Sequence, residues 1–275
     1  MNQLTEQSKI PEGAIFPKRC PVCGVEGNYT YKIEDTREGK NPVPTTWYRC
    51  QCGVIHQKDL PSHSVYDASY LDFYNNAKEG KEHSIHAAKC YAPMIEELTY
   101  GRMMLDVGYG IPNNMKFMED RGWLTWGIDV NEDINPGGNL YKGNFETYDF
   151  DMQLPPEMKE QLGKDKLKRT FDLIWMSHVF EHFTNPVGVL HKAYDLLSET
   201  GVLYISTPDI DFINKTGVAA WSHWSRDEHN ILWSEQALKR EVERAGFKVI
   251  MSRRNFSSRF ISWYDVHMVC QKNYF

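Results

Sequence analysis

The run from Met103 to Asp129, MMLDVGYGIPNNMKFMEDRGWLTWGID, restricts the fold more than any other part of the chain. It reads as strand, glycine turn, helix and strand, with an acid closing each strand. Met103, Met104, Leu105 and Val107 form a short apolar run, as a strand buried in a parallel sheet does. Gly108 and Gly110 let the backbone turn tightly and approach a ligand. Pro112, Asn113 and Asn114 suit a helix start, and Gly122 suits its end. A second strand, Trp123 to Ile128, finishes at Asp129. That acid lies about twenty residues past the glycines, where a nucleotide-binding fold places the carboxylate that grips ribose hydroxyls. The expectation is an α/β chain with a crevice at the glycine turn.

The nucleotide is not a dinucleotide of the usual kind. Folds that cradle pyrophosphate use G-x-G-x-x-G, whereas here Asn113 occupies the third glycine position. Asp106 lies two residues before the first glycine, where a carboxylate repels phosphate but suits a cationic group such as an α-ammonium. Downstream, Phe171 to Met176 (FDLIWM) reads as a fourth strand, followed by SHVFEHFTNP over Ser177 to Pro186. A helix ending near Gly201 and a fifth strand closing in Thr207-Pro208 come next.

This order resembles the class I S-adenosylmethionine (SAM)-dependent methyltransferases, from motif I onward, over roughly Met103 to Phe275. The resemblance implies a Rossmann-like, seven-stranded, mostly parallel sheet with an antiparallel edge pair. It assigns the methyl donor to Asp106, Gly108, Tyr109, Gly110, Asp129, Asn144 and Ser177, with Asp129 on the ribose and Asn144 near adenine. Two departures bear on affinity more than on fold: Pro112 replaces the last glycine of motif I, and Asn144 stands where many relatives carry an acid.

With 275 residues, 41% of them hydrophobic, the chain has room for one full α/β domain and a smaller module. We divide it into a module over 1–60, a connector and helix over 61–100, and the main domain over 101–275. The connector is polar and tyrosine-bearing, with Tyr70 and Tyr74 as candidates to cover the cofactor, and Ser84 to Leu98 reads as an amphipathic helix. Residues 151–170 and 209–233 read as insertions, and Ser234 as the N-cap of a helix ending at Gly246. Two strands near Phe247–Arg253 and Trp263–Gln271 follow as an antiparallel pair. The net charge is −6, and the one short basic cluster, Lys164 to Arg169, suits a solvated helix face, so nucleic acid is not the expected partner. No apolar run reaches the roughly 20 residues of a membrane helix, and the opening MNQLTEQSKIPEG lacks a signal-peptide core. The expected setting is cytoplasmic, with reduced thiols.

Four of the six cysteines fall in residues 18–60. Cys20-Pro-Val-Cys23-Gly24 brings two thiolates to one cation, and Cys50-Gln-Cys52-Gly53 offers a second pair. Four thiolates of this kind read as a tetrahedral zinc site in a zinc-ribbon-like module that has little core of its own. A redox pair and unbound thiols are the alternatives, and His56 is a substitute ligand if Cys50 or Cys52 is idle. Cys90 and Cys270 read as inert core thiols. The knuckle, the second pair, the connector and motif I in that order resemble a subset of the class that methylates small molecules, notably sugars of nucleotide-linked precursors. In that subset the small domain covers the substrate side of the cleft. A freestanding nucleic-acid-binding zinc ribbon is the competing reading.

Ser177 to His182, SHVFEH, lies just beyond the carboxyl end of a strand, where open α/β sheets bind ligands. It places His178, Glu181 and His182 near the methyl donor; capping the next helix is the plainer role for each. The same letters match the zinc-peptidase pattern H-x-x-E-H, with Glu241 or Glu243 as distant third ligand. That pattern needs a helix of several turns, and Pro186 and the preceding strand leave no room for one. His223, Asp227, Glu228 and His229 lie in the second insertion, which the resemblance places in the acceptor pocket, although packing through Trp221, Trp224 and Trp233 also explains it. An oxygen or carbon nucleophile needs a base, and imidazole fits. The candidates are His229 or His178, oriented by Glu228 or Glu181. The leading expectation is methyl transfer from SAM to a sugar-like acceptor, with zinc in the cysteine module. Methylation of protein or RNA, a degenerate fold serving as a binding module, and a metallopeptidase follow in that order.

Overall fold

The computed structural model describes residues 19–25, 29–34, 44–57, 85–131, 139–150, 160, 169–213, 228–255 and 265–273. The elements are β1 (Tyr29–Glu34), β2 (Pro44–Arg49), β3 (Val54–Gln57), α1 (His86–Leu98), β4 (Met103–Val107), α2 (Asn113–Glu119), β5 (Leu124–Asp129) and β6 (Leu140–Lys142). They continue with β7 (Phe171–Ser177), a 3-10 turn (Phe180–His182), α3 (Pro186–Leu196), β8 (Leu197–Pro208), a second 3-10 turn (Ile210–Phe212), β9 (Ile231–Trp233), α4 (Glu235–Arg244), β10 (Phe247–Asn255) and β11 (Asp265–Lys272).

Seven strands form the main sheet in the order β10-β11-β8-β7-β4-β5-β6. Strands β8, β7, β4, β5 and β6 run parallel, and β11 runs antiparallel to both β8 and β10. The expected antiparallel pair is therefore present, with the later strand slotted inside and β10 at the edge. The central strands are apolar on both faces because both faces are covered. Met104, Leu173, Trp175 and Tyr204 pack with Ala88, Tyr91, Ala92 and Ile95 of α1 and Met118 of α2. Their alternates Leu105, Ile174, Met176 and Ile205 pack with Val189, Leu190 and Ala193 of α3 and with Leu238 and Val242 of α4.

Several boundaries differ from those expected. The helix after the histidines ends at Leu196, five residues before Gly201, because Leu197 already pairs with Phe171. The ladder then resumes at Val202, opposite Leu173. Ser234 caps α4 as expected, its Oγ accepting from the Ala237 N–H at 3.2 Å. Cys270 is fully buried, but Cys90 is exposed on α1, four residues after His86 on the solvent side of that helix, so it is not a core thiol.

A second, four-stranded sheet runs β1-β2-β3-β9 and is antiparallel throughout. Its fourth strand comes from the second insertion, with Val54, Ile55 and His56 opposite Trp233, Leu232 and Ile231. The cysteine module is thus stitched into the main chain rather than tethered beside it. Cys20, Cys50 and Val54 share one apolar cluster with the main sheet. Among the described residues no helix is long and apolar enough to cross a membrane. Tyr70, Tyr74, Lys164, Trp221, Trp224, His223 and Asp227 lie outside the described residues.

Candidate functional site

The chain leaves β4 toward β5 on one side and reaches β7 on the other, so the strand order reverses at β4. Open α/β sheets bind ligands outside the carboxyl ends of the strands at such a reversal. Two loops flank it here. The first follows β4 and holds the glycines, with φ of +69° at Gly108 and +49° at Gly110. The second follows β7 and begins with His178, which also has a positive φ, +51°.

The two glycines do different things. A Cβ on Gly108 would come within 2.6 Å of Cγ2 of Val179 in the second loop, so this glycine lets the two loops pack. A Cβ on Gly110 would meet nothing within 4 Å, which leaves room for a ligand against the backbone. Asp129 closes β5 and accepts from the Gly110 N–H at 2.9 Å and the Asn131 N–H at 2.8 Å. Burial raises its carboxyl, while those backbone donors favour the charged form. Asp106 is only 2% exposed, and its Oδ2 has no hydrogen-bond partner. Burial and the nearby Asp129 push its carboxyl well above the usual carboxylate range. A buried acid with an unpartnered oxygen fits a cationic ligand group, which would return it to the carboxylate.

Tyr109 turns inward beside Met115 and against Gly127, where a Cβ would stand 2.5 Å from its Cδ1. Its hydroxyl is buried without a hydrogen-bond partner. The Asn144 Oδ1 accepts from the Glu146 N–H at 2.9 Å and shapes the turn after β6. Ser177 hydrogen-bonds through its hydroxyl to that of Ser206 at 3.0 Å, tying the ends of β7 and β8 together.

The second loop gathers imidazoles and acids. The His178 ring, 27% exposed, lies with Nε2 3.2 Å from Asp265 Oδ2 and Nδ1 3.6 Å from Glu181 Oε1. Burial opposes its charge, but Asp265 and Glu181 outweigh burial and hold the ring well above the usual imidazole range. Glu181 is fully buried and accepts from the Thr207 hydroxyl at 2.9 Å. Burial would raise it, yet the surrounding histidines hold it at about 2. The 3-10 turn at Phe180–His182 replaces the long helix a peptidase motif requires. His182 donates from Nδ1 to the Glu228 carbonyl at 2.6 Å, and its ring meets that of His229 edge-on at 5.0 Å between centroids.

The cysteines converge. Sγ of Cys20 lies 3.7 Å from that of Cys52, and Sγ of Cys23 lies 3.4 Å from that of Cys50. All four sulfurs fall within 4.8 Å of one another. A tetrahedral zinc centre with bonds near 2.3 Å needs sulfurs about 3.8 Å apart, so the set fits one ion. Gly24 and Gly53, with φ of +71° and +90°, close the two turns. Both members of the tighter pair fall within the cluster of sulfurs, and His56 is not part of it. Proton sharing with Cys52 lowers the Cys20 thiol to about 5, while burial lifts Cys50 to about 11.

This module holds the histidine loop directly. Gln57 donates from Nε2 to the His229 carbonyl, and its N–H donates to the Asn230 carbonyl at 3.1 Å. Asn230 in turn donates its side-chain amide to the His182 carbonyl. Arg240 of α4 donates to the Cys52 carbonyl at 2.7 Å. Sequence reading missed Asp265, Thr207, Gln57 and Asn230 as site residues. Only Thr207, at the end of a recognised strand, carried any local signal.

A methyltransferase domain model matches residues 86–252. A ubiquinone biosynthesis O-methyltransferase of Glaesserella parasuis is 30% identical over 122 residues, taking in 44% of this chain and only 49% of that protein. Among solved structures, the 1,6-didemethyltoxoflavin-N1-methyltransferase of Burkholderia thailandensis, with S-adenosylhomocysteine bound, is similar with a TM-score of 0.53 and 14% identity. That likeness covers 90% of this chain and 100% of the other. The magnesium protoporphyrin IX methyltransferase of Synechocystis PCC 6803, also with S-adenosylhomocysteine bound, is similar with a TM-score of 0.52, 13% identity and coverage of 76% and 97%.

Proposed function

Since the chain belongs to the methyltransferase domain family, we propose that it transfers a methyl group from SAM to a small polar acceptor, a sugar or nucleotide-sugar. The observation that carries the reading is the strand reversal, where the orphaned Oδ2 of Asp106 lies near Asp129, and Asp129 in turn holds the backbone of Gly110, whose open face leaves room for a ligand. Asp106 would receive the cationic amino-acid end and Asp129 the ribose, with the Gly110 backbone close to the donor and Asn144 on the adenine side. The donor's sulfonium supplies an already activated methyl group, so the protein's task is positioning, exclusion of water and removal of the acceptor's proton.

Between the two candidate bases we favour His178. Its ring is partly open to an acceptor, whereas His229 is 8% exposed. Asp265 and Glu181 orient the His178 ring, and the Glu228 carbonyl fixes the neighbouring His182. Zinc on Cys20, Cys23, Cys50 and Cys52 would stabilise the small sheet whose β3 holds the His229 loop, and on this reading that module covers the acceptor side. In this reading the chain works as three parts, 1–60, 61–100 and 101–275, with β9 joining the first to the last.

A labelled-methyl transfer screen across nucleotide sugars, small metabolites, protein and RNA tests the reading. Transfer to a sugar is the expected result; transfer to none, with no donor or demethylated donor retained by the purified protein in mass spectrometry, would overturn it. Asp129→Ala is expected to weaken donor binding by about 1.5–3 kcal/mol, the usual range for a charge-assisted hydrogen bond. Undiminished affinity by calorimetry would exclude the ribose role.

The pH profile tests His178. Its neutral, proton-accepting form appears only above its raised pKa, so turnover should climb with pH through a limb above the ordinary value of roughly 6.5. Asp265→Asn removes a carboxylate that favours the cation, so the limb should move to lower pH. By the same linkage, ionised His178 adds to fold stability below pH of roughly 6.5 and that contribution is lost as pH rises through the folded value. A limb that stays in place in Asp265→Asn, with His178→Gln fully active, would remove His178 from the reaction.

A further inference from the structure

We propose that Glu181, His182 and His229 bind a divalent first-row transition-metal ion at the carboxyl end of the main sheet, apart from the cysteine site. One ligand atom from each of the three lies within 4.8 Å of the other two, and all three residues are buried. Two imidazoles and a carboxylate form a donor set that suits zinc, iron, cobalt or nickel.

Two observations ask for a cation there. Glu181 is completely buried; its Oε2 accepts from Thr207, but its Oε1 has no hydrogen-bond partner, with His178 Nδ1 at 3.6 Å and His182 Nε2 at 3.9 Å. His178 gives that oxygen a charged neighbour but no hydrogen bond, so its lone pairs remain incompletely satisfied. The second is the His182 ring, both of whose nitrogens face carbonyl oxygens: Nδ1 at 2.6 Å from Glu228 O and Nε2 at 3.1 Å from His178 O. A neutral imidazole carries one N–H. The shorter contact takes it, which turns the Nε2 lone pair toward the lone pairs of the His178 carbonyl. A cation beside both resolves that conflict and completes Glu181. The Nδ1–H to backbone carbonyl bond is also the outer contact that metal-bound histidines generally make. The remaining coordination positions would take water or an acceptor hydroxyl; this last point alone rests on the methyl-transfer reading.

The test uses the full chain with its cysteine site first filled with zinc. Cobalt(II) is then titrated, and absorption and calorimetry follow binding. The expected result is one further equivalent of cobalt with weak visible bands and no sulfur-to-metal charge-transfer band in the near ultraviolet. Glu181→Gln and His229→Ala should each weaken it by at least about 100-fold, since even outer contacts to a metal site cost 10–100-fold. Cobalt failing to bind wild-type protein would overturn the proposal and leave His182 as a doubly donating imidazolium. So would unchanged affinity in Glu181→Gln. S-adenosylhomocysteine affinity, measured on the same samples, reports folding and the donor crevice independently, so loss of the metal site and failure of the methyl-transfer reading are distinguishable.

Discussion

On the proposed zinc site, Cys23→Ser should abolish zinc binding, lower the melting temperature sharply and reduce methyl transfer at least about 100-fold, while donor affinity changes only several-fold. Structural zinc contributes on the order of 10–16 kcal/mol of apparent folding free energy to a small module, so losing one thiolate is not a local event. The damage has a route to the acceptor side. β3 pairs with β9, and Gln57 holds the carbonyls of His229 and Asn230. When the knuckle loosens, that loop loses its hydrogen-bond partners and the histidines lose their positions. Among the described residues, the loop after β4 and Asp129 share no hydrogen bond of this kind with the module. Metal content, thermal melting and S-adenosylhomocysteine calorimetry on the variant read these effects separately. Cys90→Ser, on the exposed face of α1, is the control and should change none of them. Full zinc content and full turnover in Cys23→Ser would refute the assignment.

The second large effect separates two glycines that look alike in the sequence. Gly108→Ala should destabilise the fold by about 2–4 kcal/mol, combining the left-handed backbone penalty with overpacking. Its new methyl would stand 2.6 Å from one carbon of Val179 and 2.9 Å from another. Val179→Ala should recover the overpacking share, which a double-mutant cycle measures. Gly110→Ala meets no protein atom within 4 Å, so its stability cost is the backbone strain alone, about 1–2 kcal/mol. Its methyl occupies the space left for the donor, and affinity should fall at least tenfold. Denaturant unfolding and calorimetry decide the pair. Equal stability losses with undiminished donor binding in Gly110→Ala would mean that neither glycine faces a ligand.

The strand–turn–helix–strand unit was legible from the sequence because each of its signals is local. Apolar runs, turn glycines, a capping proline and a terminal acid all act within thirty residues or fewer of one another. The Ser234 cap and the hairpin formed by β10 and β11 were readable for the same reason. The three residues of β9 carry no strand pattern, being too short for alternation to register. They are a strand because β3 offers an edge to pair with. The sequence predicts α3 to run on to Gly201, because nothing in it announces that Leu197 is claimed by Phe171 across the sheet.

For the site, the sequence by itself determined which chemistries were within reach: an acid for a ribose, clustered thiolates for a metal, and imidazoles beyond a strand end. Side-chain type and short spacing dictate those. Tertiary structure alone decided which of these groups meet. Asp265 reaches His178 only because β11 inserts beside β8, and Gln57 reaches His229 only because two sheets share the chain between them. Contacts between residues so distant in sequence are chosen by strand order and by the burial of apolar faces, and no local pattern encodes either.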